Sequence, residues 1–197
     1  MTATANPALA GTRTRRIPGE HGTWVFLFGD MLVFAVFFAT FLVERSHRPV
    51  VFDVARRTLH TGVGLTNTLV LLTSSLCVVV AMGAIRSGVR ATAAATLVAA
   101  ISCGVLFVTL KVYEYMSLGL AGHGPGANHF YLYYFILTGV HLLHVLVGIA
   151  VLTFLITQAH RTALSATRMA IIEGGACFWH LVDLLWIILF PLLYLVS

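Results

Sequence analysis

Charge is what this sequence has least of. Only 10% of its 197 residues are Asp, Glu, Lys or Arg, against about a quarter in a soluble domain. Acidic residues number seven against twelve Lys and Arg, so the formal charge of +5 is small. The basic residues form no stripe of the kind that binds nucleic acid. They lie between apolar runs, which is a membrane-topology pattern. Cysteine is also scarce: Cys77, Cys103 and Cys177 are an odd number, well separated, each inside an apolar run. They read as small buried hydrophobes, not as a disulfide framework or a thiolate metal site. There is no Walker loop, no dinucleotide glycine motif, no CxxCH haem-attachment site, no internal repeat and no low-complexity segment. Arg13, Arg15 and Arg16 precede an apolar run too long for a cleavable signal, with no small-residue cleavage pattern after it.

What is present in excess is hydrocarbon, at 59% hydrophobic residues. One domain of this length has no core large enough to hide them, so lipid is the natural solvent. Five runs approach or exceed the ~20 residues that a spanning helix needs. They cover about 23–43, 62–85, 92–118, 130–157 and 169–196. Barrel strands would be half as long and alternating. Backbone groups in lipid must be satisfied within the segment, so helices are expected. The reading is an all-α, polytopic membrane protein, five transmembrane helices in a bundle over residues 19–197. Residues 1–18, rich in Thr, Ala and Arg, read as a mobile N-terminal tail.

Residues 44–61 hold Glu44, Arg45, Arg48, Pro49, Asp53, Arg56 and Arg57 and read as a polar loop. Residues 86–91 read as a tight turn around Gly88. Residues 119–128, with Gly119, Gly122, Gly124, Pro125 and Gly126, are a breaker cluster. Residues 158–168 carry Arg161 and Arg168. Arginine distribution favours a cytoplasmic N-terminus in the inner (plasma) membrane, with the first outer loop opposing that bias.

An ionisable group in hydrocarbon costs a few kcal/mol and is a functional candidate by default. Asp30 lies ~10 Å inside the first helix. It reads equally as a proton-exchanging or lipid-contacting carboxylate and as a packing residue. Lys111 and Glu114 are three apart and can pair within their helix. Glu114 can instead pair across helices, and Lys111 is placed where its stem can snorkel. His141 and His144 share a face of the fourth helix. Glu173, His180 and Asp183 share a side of the fifth. The three histidines fall near mid-bilayer and could form one polar layer between these two helices. Two His at i and i+3 with Glu and His opposite would suffice for zinc or iron, but hydrogen bonding between helices explains the same residues. Asn67 and Ser74 form a small polar stripe on the second helix, suited to close packing. Trp24, Trp179, Trp186, Tyr194 and the 131–134 tyrosines read as interface belts or packing.

Five strings then point to a family. Trp24 to Phe38, with Gly29-Asp30, resembles a segment with a buried carboxylate followed by phenylalanines. Thr66-Asn67-Thr68 with Ser74-Ser75 resembles a Leu-Asn-Thr…Ser-Ser stretch. Lys111-Val-Tyr-Glu114-Tyr115 resembles a Glu-Tyr helix ending. Thr138-Gly139-Val-His141-Leu-Leu-His144-Val-Leu-Val-Gly148 and, after Glu173, Trp179-His180-Leu-Val-Asp183-Leu-Leu-Trp186 complete the set. Each is weak alone. In order, one per helix, they resemble subunit III of the haem-copper respiratory oxidases in its five-helix form, from Gly19 onward.

That resemblance implies a non-catalytic subunit that binds no haem and no copper. Both would reside in subunit I, with subunits I and II as partners and bound lipid expected. It places Asp30 at the family's carbodiimide-reactive carboxylate. It makes Glu114, His141, His144, Glu173, His180 and Asp183 a helix-bonding polar set, to which the residue reading adds Asn67 and Lys111. The opening Pro18-Gly19-Glu20-His21-Gly22-Thr23-Trp24 and the Gly-Asp in place of Ser-Glu resemble the NorE-type branch, associated with nitric oxide reduction. A third reading is an intramembrane metalloenzyme using His141, His144, Glu173 and His180.

Overall fold

The computed structural model describes residues 21–159 and 165–195. The expected tail at 1–18 lies outside the described residues. The chain forms α1 (His21–His47), α2 (Pro49–Arg56), α3 (Thr61–Arg86), α4 (Arg90–Leu120), α5 (His129–Ala159) and α6 (Ala166–Phe190), then a π-helical turn, Pro191–Leu195. Five of these segments are long and apolar enough to cross a membrane. They match the five expected runs: the first four extend one to four residues further at each end, and the fifth starts three residues earlier and is described to Leu195.

The expected polar loop at 44–61 is not one. α1 continues to His47 and α2 follows after a single residue. Pro49 opens α2, where its missing N–H costs nothing. Phe52, Ala55 and Leu59 then recur at helical spacing and are buried. Phe52 packs edge-on against Phe41 at 5.4 Å and Phe130 at 5.6 Å. Four arginines in a short segment masked this apolar stripe in the sequence.

Two interhelical turns end in the same way. Val89 N–H bonds Ala84 C=O at 2.9 Å and Gly88 N–H bonds Ile85 C=O at 3.2 Å. Likewise His123 N–H bonds Leu118 C=O at 2.9 Å and Gly122 N–H bonds Gly119 C=O at 3.1 Å. This is the Schellman arrangement, which needs a left-handed residue; Gly88 and Gly122 supply it with φ of 74° and 76°. At the other connection Ser165 caps α6 by accepting from Arg168 N–H at 3.3 Å.

α6 is the centre of the bundle and packs against α3, α5 and α1. α3 pairs with α4, and α4 with α5. α1 stands at the edge, with Phe34 and Phe41 turned inward and Val25, Phe28 and Leu32 outward. Trp179 of α6 wedges toward α4 and α5 at two glycines. A Cβ on Gly148 would lie 2.6 Å from Trp179 Cε3, and one on Gly104 would lie 3.0 Å from Cη2. The backbones approach closely there because neither neighbour carries a side chain.

Candidate functional site

The most deeply buried charges among the described residues are Lys111 and Glu114. The expected snorkelling of Lys111 does not occur: the side chain is 1% exposed. Lys111 Nζ donates to Glu114 Oε2 at 2.9 Å, Tyr194 OH at 2.9 Å and Tyr134 OH at 3.1 Å. All three ammonium N–H groups are thereby used. Tyr194 OH in turn donates to the Glu114 carboxylate, 2.8 Å from Oε1. The ammonium also sits 4.8 Å from the Trp186 ring centroid, within cation–π range. With the pair neutral and its hydrogen bonds made inside the bundle, the lysine gains nothing by reaching for water. Arg56 of α2 donates to Tyr194 C=O at 3.2 Å. The cluster thus joins α2, α4, α5 and the C-terminal turn. Tyr134 and Tyr194 belong to no interface belt: both are buried, as are Tyr131, Trp179 and Trp186. Each hydroxyl was legible as a donor in the sequence, but not which carboxylate it would meet.

His141, His144 and His180 do not form one layer. Residues three apart on a helix diverge by about 60°, and α5 lies between two different neighbours. His141 turns inward, 5.3 Å from the Trp186 ring and 5.7 Å from Phe107. It is fully buried, and neither ring nitrogen has a hydrogen-bond partner among the described residues. His144 turns to α1, its Nε2 3.0 Å from Asp30 Oδ1. His144 Nδ1 lies 2.7 Å from Val140 C=O. A carbonyl only accepts, so Nδ1 carries a proton. One further proton is then shared between Nε2 and Asp30, and the pair is neutral whichever atom holds it. His180 bonds Ser75 Oγ of α3 through Nδ1 at 2.6 Å.

Glu173 pairs with Arg86 at the end of α3, 3.0 Å away. Arg86 was not singled out in the sequence, because a basic residue after an apolar run reads as topology. Asn67 is fully buried with neither amide atom partnered among the described residues. Its neighbour on the stripe, Ser74, donates across to Ala100 C=O of α4 at 2.9 Å. Asp183 is buried, with Oδ1 unpartnered among the described residues. Two further crossings escaped the sequence reading: Trp186 Nε1–H to Thr68 Oγ1 at 3.0 Å, and Tyr115 OH with Thr138 Oγ1 at 2.6 Å.

The four side chains of the metalloenzyme reading therefore diverge. His144 points to α1, His141 to the α4–α6 interior, and His180 and Glu173 to α3. Among the described residues no group of three His, Cys, Asp or Glu is placed to hold a metal ion. What the arrangement does is join each helix to its neighbours by polar contacts in a medium where water offers no competition. An apolar groove of about 250 Å³ also opens between α1 and α6, lined by Trp24, Leu27, Phe28, Met31, His180 and Leu184 among others.

Residues 6–197 match the family model for cytochrome c oxidase subunit III. The chain is 33% identical over 178 residues to cytochrome c oxidase subunit 3 of Thermostichus vulcanus, covering 89% of this chain and 86% of that one. It is 31% identical over 179 residues to the cytochrome bo(3) ubiquinol oxidase subunit 3 of Pseudomonas aeruginosa, covering 89% and 84%. A third relative, named heme-copper oxidase subunit I+III, is from Aeropyrum pernix. It is 28% identical over 188 residues, which are 88% of this chain and 22% of that one. This five-span, multi-pass chain, with its polar crossings between helices, belongs to the cytochrome c oxidase subunit III family.

Proposed function

We propose that this chain packs against subunit I of a haem-copper terminal oxidase in the plasma membrane and stabilises it without taking part in the chemistry. Haem and copper would reside in subunit I, with subunit II completing the complex. The observation that carries this is the Aeropyrum pernix relative, whose name joins subunits I and III in one chain. A segment that is fused in one organism and separate in another is expected to occupy the same place in both. The polar set fits a supporting role. Asp30, Lys111, Glu114, His144, Glu173 and His180 are all engaged with other residues of this chain. Asn67, His141 and Asp183 add buried polar surface to the same interior. The α1–α6 groove is suited to a lipid chain, and the N-terminus would be cytoplasmic.

The test is purification of the tagged chain in mild detergent, read by visible absorption and by mass spectrometry of what accompanies it. A haem-bearing subunit I in stoichiometric amount is the expected result. Nitric oxide reductase subunits in its place, or no haem protein at all, would overturn the proposal.

A further inference from the structure

The short helix α2 has one face that the supporting role does not use. Phe52, Ala55 and Leu59 bury one side. On the opposite side Val50, Val54 and Arg57, at i, i+4 and i+7, share one stripe. Val50 is 74% exposed and Val54 63%; Val51 beside them is exposed as well. An uncovered row of valines beside arginines on one short helix needs an explanation.

Position supplies one. α2 lies one residue beyond the last residue of α1 and four before the first of α3. Both neighbours have the length and composition of spans, so α2 lies at the bilayer border. It is held there by Phe52 against Phe41 and by Arg56 on Tyr194 C=O.

Charge supplies the second argument. The spans alternate, so the 44–60 segment, the α4–α5 connection and the C-terminal turn share one end of the bundle. Residues 121–128 and 190–197 contain no Asp, Glu, Lys or Arg. The buried Lys111–Glu114 pair at this end is neutral as a pair, and residues 44–57 carry four arginines against two acids, a net +2. Arg48 lies 3.2 Å from Glu44 and Arg57 3.7 Å from Asp53. These pairs are solvent-exposed and weak, and a guanidinium has five N–H donors, so both arginines keep donors to offer.

We propose that α2 is an interfacial anchor that binds anionic phospholipid headgroups of the leaflet it borders. Val50, Val51 and Val54 dip into the acyl boundary, and Arg48 and Arg57 hold phosphate oxygens above them. Exposed apolar residues flanked by cations on one short helix at the membrane surface are the pattern of interfacial helices. An acidic protein partner would match the arginines and leave the valines unexplained.

The experiment uses the full chain in the complex it purifies with, reconstituted in phosphatidylcholine vesicles. Spin-labelled phosphatidylglycerol and spin-labelled phosphatidylcholine report the motionally restricted lipid. Wild type is expected to prefer the anionic probe, with the preference falling in high salt. Arg48→Gln with Arg57→Gln should lower the preference at least about twofold, while Arg48→Lys with Arg57→Lys should retain most of it. A wild-type complex with no salt-sensitive preference overturns the proposal without needing any variant. So does an unchanged preference in a folded Gln double variant. Loss of an accompanying subunit from that variant with the lipid preference intact would show a protein interface, and also overturns it.

Discussion

Adding one methyl group at Gly148 tests how the bundle is packed. A Cβ there would lie 2.6 Å from Trp179 Cε3 and 2.7 Å from Cζ3. Trp179 is 1% exposed and is wedged toward Gly104 on its other edge. The indole has no free end to swing aside, so α5 and α6 must separate or the ring must leave its well. Overpacking of this kind costs about 1–3 kcal/mol. Replacing glycine by alanine within a helix also stabilises by up to about 1 kcal/mol, which would hide part of the effect. Gly139→Ala on the same helix cancels that contribution, because a Cβ there meets nothing within 4 Å. The difference between the two variants is therefore the packing cost alone. At roughly 2–4 °C per kcal/mol for a chain of this size, Gly148→Ala should melt about 2–12 °C below Gly139→Ala. The assay is fluorescence-detected gel filtration after heating in detergent, at one fixed heating rate. A Trp179→Phe background should shrink the gap, since the smaller ring leaves room and the two sites couple. Equal midpoints for Gly148→Ala and Gly139→Ala would refute the close approach at Trp179.

Lys111→Met should be among the most damaging single changes. It leaves Glu114 buried and unpaired, at about 3–5 kcal/mol, and Lys111→Met combined with Glu114→Leu should recover much of the loss in the same melting assay. His180→Leu removes the bond to Ser75 and is expected to cost roughly 0.5–2 kcal/mol; an unshifted midpoint would mean the contact does not contribute. Arg86→Gln breaks an ion pair whose arginine is largely exposed, so its effect should stay at or below about 1 kcal/mol, and a larger fall in midpoint would contradict that weighting. Asp30→Asn keeps shape but removes the proton shared with His144. The complex should still assemble, with a shorter active lifetime or altered lipid retention, and unchanged lifetime and lipid content would remove any role for Asp30 beyond packing.

Much of this protein was decided at the level of one helix at a time. Five apolar runs of spanning length, set apart by Gly88, by the glycines from 119 to 126 and by Arg161 and Arg168, dictate five helices because a backbone in lipid has no other way to satisfy itself. The order of motifs, one per helix, placed the chain in its family. The sequence also named most of the buried polar residues, since each is conspicuous against hydrocarbon. What it left open was the partner of each. Three-residue spacing puts His141 and His144 on neighbouring lines of α5, and only the placement of α1 and α6 sends one to Asp30 and the other to Trp186. Lys111, eight residues before the breaker cluster that opens at Gly119, looked free to reach water; whether it does depends on Tyr134 and Tyr194, twenty-three and eighty-three positions away. α2 was missed because its apolar stripe is short and its arginines dominate local composition. Pairings across such distances are set by how helices pack, and helix packing is a property of several segments together, which no single segment carries.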